Sequence, residues 1–247
     1  MRQIQPTLIL ATLILVLSLC GARLLWCSDC PKVDRDIKTY DEKIHAITME
    51  FTQKPANPVD KDWVKAKLSF MVAVDQYTRR YLQVPFQHAY TDKENMEFQK
   101  QFSNRMTSMD ARNTADLKDL LKKYEWFTIS VFGSQADNDA WLLVQHADQD
   151  RPFQKRILNV LEGLYKIGHT KPSNYAYLYD RVARGENPPR PQRYGTQGRC
   201  VGPGKWEPHE IEDAANVDKR RAKVGLGTME EYKAMFKDIC HKAEGVI

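Results

Sequence analysis

"RPFQKRILNVLEGLYKIG", residues 151–168, decides the fold class of this chain. Phe153, Ile157, Val160, Leu161 and Leu164 recur at steps of three and four, which gathers them on one face of a helix and leaves Lys155, Arg156, Asn159 and Glu162 on the other. Gly168 ends the pattern, and Pro172, four residues on, suits the first turn of the next helix. A chain built from such segments buries apolar stripes against one another, as mainly α proteins do.

The same spacing extends in both directions. Ile37, Tyr40, Ile44, Ile47 and Phe51 predict a helix that "KPANPVD" breaks, and a second helix is expected from Trp63 to Leu82. Phe98, Phe102 and Met106 mark a third. Asn113 or Thr114 is expected to cap a fourth carrying Leu117, Leu120, Leu121 and Tyr124. "EWFTISVFG" is aromatic, β-branched and closed by glycine, so it reads as a short extended connector. Ser134 followed by Asp137 then opens a helix through "DAWLLVQHAD". Tyr175, Leu178 and Val182 stripe the next helix until "GENPPRPQ" forces an extended path, and Thr228 with Glu231 forms a capping box ahead of Met229, Tyr232, Phe236 and Ile239. The expected fold is mainly α, an irregular multi-helix bundle with a small irregular or two-stranded β element near residues 190–210.

Composition agrees with a folded body. The 247 residues are 42% hydrophobic and 28% charged, which places residues 35–247 as a single helical domain and excludes a disordered chain. The net charge of +5 arises from 37 basic and 32 acidic residues without a run of five like charges. Aromatics sit in core stripes rather than alternating with basic residues, so nucleic acid is not an expected partner.

Before that domain, Leu8 to Leu19 is an unbroken apolar run of 12 residues preceded by Arg2. A bilayer-spanning helix needs about 20 such residues and a secretory signal core about 7 to 15. Residues 1–22 therefore read as a signal peptide, with Cys20-Gly21-Ala22 as a small-residue cleavage site. An uncleaved signal anchor over residues 8–26 is the alternative and the only expected membrane contact. "LSLC" resembles a lipobox poorly, because Leu19 stands where a small side chain belongs. The expected location is the periplasm or the exterior, where thiols oxidise. Residues 23–34 form an N-terminal segment with Cys27 and Cys30. Cleavage leaves these two with Cys200 and Cys240, and three pairings are open. Long-range bridges from the N-terminal pair to Cys200 and Cys240 are favoured over a redox motif or a zinc site, since there is one close pair only.

Four polar clusters interrupt the stripes. In "VDQYTRR", Asp75 and Arg79 lie one helical turn apart, with Gln76 between. "WLLVQHADQD" delivers His146, Asp148 and Asp150 at a helix end, where a carboxylate can orient the imidazole as a general base requires. "YAYLYDRVARG" places Asp180 and Arg181 about 100° apart on a helix, free to make separate contacts. "QRYGTQGRC" offers Gln192, Tyr194, Thr196 and Gln197 around Gly195, and Arg221 follows in "NVDKRRAKVGL". No second histidine falls at ligand spacing, and neither a metal nor a cofactor is expected.

"WLLVQHAD", "AYLYDRV", "QRYGTQ" and "RRAKVGL", in this order and preceded by "DQYTRR", resemble an uncharacterised bacterial family, a domain of unknown function. The resemblance covers about residues 60–236. It implies that Asp75, Gln76, Arg79, His146, Asp180, Arg181, Gln192, Tyr194, Gly195, Thr196, Gln197 and Arg221 occupy motif positions, and it implies no activity. The amino-terminal helix and the cysteines lie outside it.

Two functions fit these residues, the first the favoured reading and the second its alternative. One is an exported module that holds an envelope component, a protein or a small anionic ligand in a polar cleft lined by Asp75, Gln76, Arg79, Arg181, Gln192, Tyr194, Thr196, Gln197 and Arg221. The other is a hydrolase or transferase with His146 as acid or base, Asp148 or Asp180 orienting it, and Arg79, Arg181 or Arg221 facing an anionic group.

Overall fold

The computed structural model describes residues 29–53 and 55–240. The expected signal or anchor and Cys27 lie outside the described residues. Seven helices come first: α1 (Pro31–Thr52), α2 (Lys61–Tyr81), α3 (Val84–Gln87), α4 (Asp92–Leu120), α5 (Ile129–Gln145), α6 (Arg151–Tyr165) and α7 (Pro172–Arg184). An antiparallel hairpin follows, β1 (Gly198–Gly202) and β2 (Lys205–Pro208), then the short helices α8 (Val217–Lys223), α9 (Met229–Ala234) and α10 (Lys237–Cys240). Among the described residues, no helix is long and apolar enough to cross a membrane.

Helix α2 lies centrally, packed on α1, α4 and α5. The α6 stripe enters the main core as expected, with Phe153, Ile157 and Leu161 buried beside Leu68, Leu117, Leu143 and Leu178. Each such side chain contributes about 1.5 to 3 kcal/mol by leaving water. A second cluster joins Cys30, Val33, Ile37 and Tyr40 of the α1 end to Tyr81, Phe98 and Phe102. Helix α1 starts at Pro31 and so includes residues assigned above to the N-terminal segment. A third cluster, Trp206, Val217, Met229, Tyr232 and Cys240, underlies the hairpin.

Three local expectations change. The third and fourth helices are one 29-residue helix, α4, capped by Thr91 and Glu94 in a capping box. Asn113 and Thr114 sit in its interior, where Thr114 donates its hydroxyl back to the Asp110 carbonyl at 2.8 Å. "EWFTISVFG" is extended only in part, since Ile129–Phe132 form a helical turn before Gly133 breaks the geometry at φ +84°. Asp137, expected to assist a cap, is instead buried and accepts from Trp126 Nε1 at 2.7 Å and Asn174 Nδ2 at 3.1 Å, tying α5 to α7.

The cysteine pairing also differs. Cys200 bonds to Cys240, 40 residues on, with Cα atoms 5.4 Å apart. Strand register sets Cys200 opposite Trp206 on the hairpin face that covers the third cluster, where α10 ends. Cys30 is packed in the second cluster, and Cys200 and Cys240 bond to each other in place of the expected long-range bridges.

Candidate functional site

The C-terminus of α5 distributes three polar side chains in three directions. His146 turns to α2, where its Nδ1 lies 2.8 Å from Asp75 Oδ1. Asp148 turns to α7 and takes a two-pronged contact from Arg181, whose Nε is 3.0 Å from Oδ1. Asp150 caps α6, accepting from Phe153 N at 3.0 Å, and pairs with Lys118 at 2.8 Å. The partner of His146 is therefore neither Asp148 nor Asp180 but Asp75.

Asp75 is fully buried and serves as the hub. Its Oδ2 accepts from Gln76 Nε2 at 2.8 Å, and its Oδ1 lies 3.2 Å from Arg79 Nε, one turn along α2. Arg79 continues to Asp110 on α4 at 2.6 Å. Its Nε also lies 3.0 Å from His146 Nδ1, and that nitrogen cannot both accept there and donate to Asp75. Donation to the carboxylate is charge-assisted and the stronger contact, so the proton belongs on Nδ1. Nε2 is left with no hydrogen-bond partner among the described residues, on a side chain that is 18% exposed.

Electrostatics support this assignment. Burial pushes the Asp75 carboxyl up, but the hydrogen bond and charge of His146, with Arg79 and Gln76, outweigh it and hold the group below its ordinary value. Asp110 moves the other way. Burial raises it, and the Asp75 and Asp148 charges add to that rise against the pull of Arg79 and His146. Asp148 itself is lowered: burial raises it, and Arg181, Gln154 and Arg151 more than reverse the effect.

The loop at residues 192–200 has a different task. Asp180, fully buried on α7, accepts from the backbone N–H of Arg193 at 2.8 Å, Tyr194 at 3.1 Å and Thr196 at 2.9 Å, and from the Thr196 hydroxyl at 3.0 Å. Gln192 is equally enclosed. Its Nε2 donates to the carbonyls of Gln197 and His209, and its Oε1 accepts from Gln197 N. Arg221 donates to the Tyr194 and Gly227 carbonyls and lies over the Tyr232 ring. Tyr194 is buried with its ring edge-on to Tyr179. Gly195 holds φ +68°, and a Cβ there would meet Ile211 Cδ1 at 2.7 Å. These residues fasten the loop to α7 and α8. Gln197 reaches the Arg181–Asp148 pair, accepting from Arg181 Nη1 at 3.2 Å.

The predicted set thus divides. Asp75, Gln76, Arg79 and His146 form one hydrogen-bonded cluster and Asp148, Arg181 and Gln197 a second, both starting from the C-terminus of α5, whereas Asp180, Gln192, Tyr194, Thr196 and Arg221 serve as supports of the loop. Asp110 belongs to the first cluster and escaped the sequence reading, because on a polar helix it is one acidic residue among many. Its spacing from Met106 and Thr114 was the available signal, since all three share a face of α4.

A family model described as a family of unknown function, DUF6624, matches residues 64–243, well over half the chain. Comparison with curated proteins gives no match, and neither does comparison with solved structures. The matched span holds every residue of these clusters and their supports and leaves out α1, and this chain is a member of the DUF6624 family.

Proposed function

We propose that this chain is an exported helical domain that performs acid–base chemistry, a hydrolase or transferase in which His146 takes and returns the proton. The observation that carries the reading is the Asp75–His146 contact of 2.8 Å with Nε2 unpartnered among the described residues. A buried carboxylate fixes the ring and its tautomer, and the free nitrogen is placed to accept a proton from water or a hydroxyl. Arg79 pairs with both Asp75 and Asp110, which holds the Asp75 carboxylate in place beside the ring. Export is supported by the apolar run Leu8–Leu19 and by the Cys200–Cys240 bond, which suits an oxidising compartment.

The competing reading, a module that only binds, draws on the mutual saturation of Arg181 and Asp148, which leaves little free charge there. A panel of ester, phosphoester, glycoside and amide reporters assayed on the protein, His146→Gln and Asp75→Asn separates the two. Turnover that disappears in His146→Gln while the fold persists supports acid–base chemistry. Turnover indifferent to His146, or none with any reporter, favours binding.

A further inference from the structure

Beyond the His146 cluster, three basic residues, Arg184, Arg199 and His209, lie on α7 and the hairpin on either side of the Arg181–Gln197 contact. Arg184 lies three residues after Arg181 and hence on the same face of α7. Arg181 reaches Gln197, and the Gln197 carbonyl accepts from His209 N at 3.0 Å. Arg199 follows Gln197 by two residues, which returns its side chain to the same side of the extended chain. Among the described residues, no carboxylate oxygen lies within 4.0 Å of a nitrogen of Arg184 or Arg199. Glu207 opposes Arg199 across the hairpin without closing to that distance. The His209 imidazole also has no hydrogen-bond partner there.

Arg184 is the informative member. Its Nε is shielded from solvent and has no acceptor. An exposed arginine is satisfied by water, but a shielded N–H without an acceptor is a standing cost that folded proteins seldom retain. A second sign of proximity is that the His209 imidazole is held below its ordinary value by burial first, and then by the charges of Arg184 and Arg199.

We propose that Arg184, Arg199 and His209 form a binding site for a phosphate dianion, free or carried as a monoester on a small molecule. Two guanidinium groups that close no ion pair within 4.0 Å match two negative charges, and planar guanidinium forks pair with phosphate oxygens through parallel hydrogen bonds. His209 adds a third donor once an anion offsets the neighbouring cations. A monocarboxylate would neutralise one charge and leave the other. The site stands whether or not His146 moves protons.

The test is a titration of the full chain with inorganic phosphate, followed by NMR of the His209 ring protons, with acetate and chloride at matched ionic strength. Saturable phosphate binding should raise the His209 titration toward its ordinary value of 6.5, and acetate should not. Arg184→Gln and Arg199→Gln should each weaken binding by about tenfold or more. Arg199 is exposed, so its variant tests the site even if Arg184→Gln loosens the fold. His146→Gln should bind phosphate as the parent does, which keeps this proposal separable from the acid–base reading. A shift equal in phosphate and chloride, or unchanged affinity in both arginine variants, overturns it.

Discussion

Thr196 gives Asp180 both its backbone N–H, at 2.9 Å, and its hydroxyl, at 3.0 Å, and so locks the loop after the proline-rich stretch onto α7. Removal of the carboxylate leaves three shielded backbone N–H groups without acceptors. Asp180→Ala should lower unfolding free energy by about 3 to 5 kcal/mol, and Thr196→Val by about 1 kcal/mol. Urea melts measure both. Equal effects of the two substitutions would contradict the central place given to Asp180.

The tautomer of His146 is open to direct observation. With Asp75 accepting from Nδ1, ¹⁵N spectra of the neutral ring should show the proton on Nδ1 and the lone pair on Nε2. In Asp75→Asn that preference should relax while the helices persist. A neutral ring protonated on Nε2 in the parent would remove the proposed base.

Acid stability follows from the direction of the Asp75 shift. Its carboxyl is held below the ordinary value of 3.8, so between the two values the unfolded chain binds more protons than the folded one. The stabilisation is complete above the ordinary value and is lost as pH falls through the folded value; Asp148 acts in the same sense. Urea midpoints measured downward from about pH 5 should decline. The decline should be shallower in Asp75→Asn, and identical slopes would refute the assignment.

The Cys200–Cys240 bond closes a 40-residue loop, for which chain entropy gives a stabilisation of about 4 kcal/mol. Cys200→Ser or reduction should lower the melting temperature. Hydrogen exchange should accelerate first in the hairpin and α10, while α2 and α5 keep their protection. Uniform loss across the helices would show that the third cluster is not a separate locus.

Two glycines separate backbone strain from crowding. Gly225 has φ +71°, and no atom stands within 4 Å of the place an alanine methyl would take, so Gly225→Ala should cost about 1 kcal/mol from conformation alone. At Gly195 the same methyl would lie 2.7 Å from Ile211 and 2.9 Å from Met229 Sδ, and Gly195→Ala should cost about 2 to 4 kcal/mol. Comparable losses in thermal melts would mean that the packing around Gly195 yields readily.

The sequence by itself determined the helical class, the stripes of α1, α6 and α7, the Thr228–Glu231 cap and the β element near residues 190–210, because each rests on groups within a few residues of one another. It also placed the four polar motifs in order, and the family follows from them. Where a local signal had two outlets, it misled: Asn113 and Thr114 can cap a helix or lie within one, where a threonine hydroxyl bonds backward, and α4 uses the second. Only the tertiary structure decided that His146 reaches Asp75 across 71 residues, that Asp180 serves the loop, and that Cys200 takes Cys240. Hydrogen bonds, charges and thiols act over a few ångströms, so their partners are fixed by how the apolar stripes bring distant helices together, and several carboxylates at similar chain positions offer a histidine the same chemistry until packing selects one.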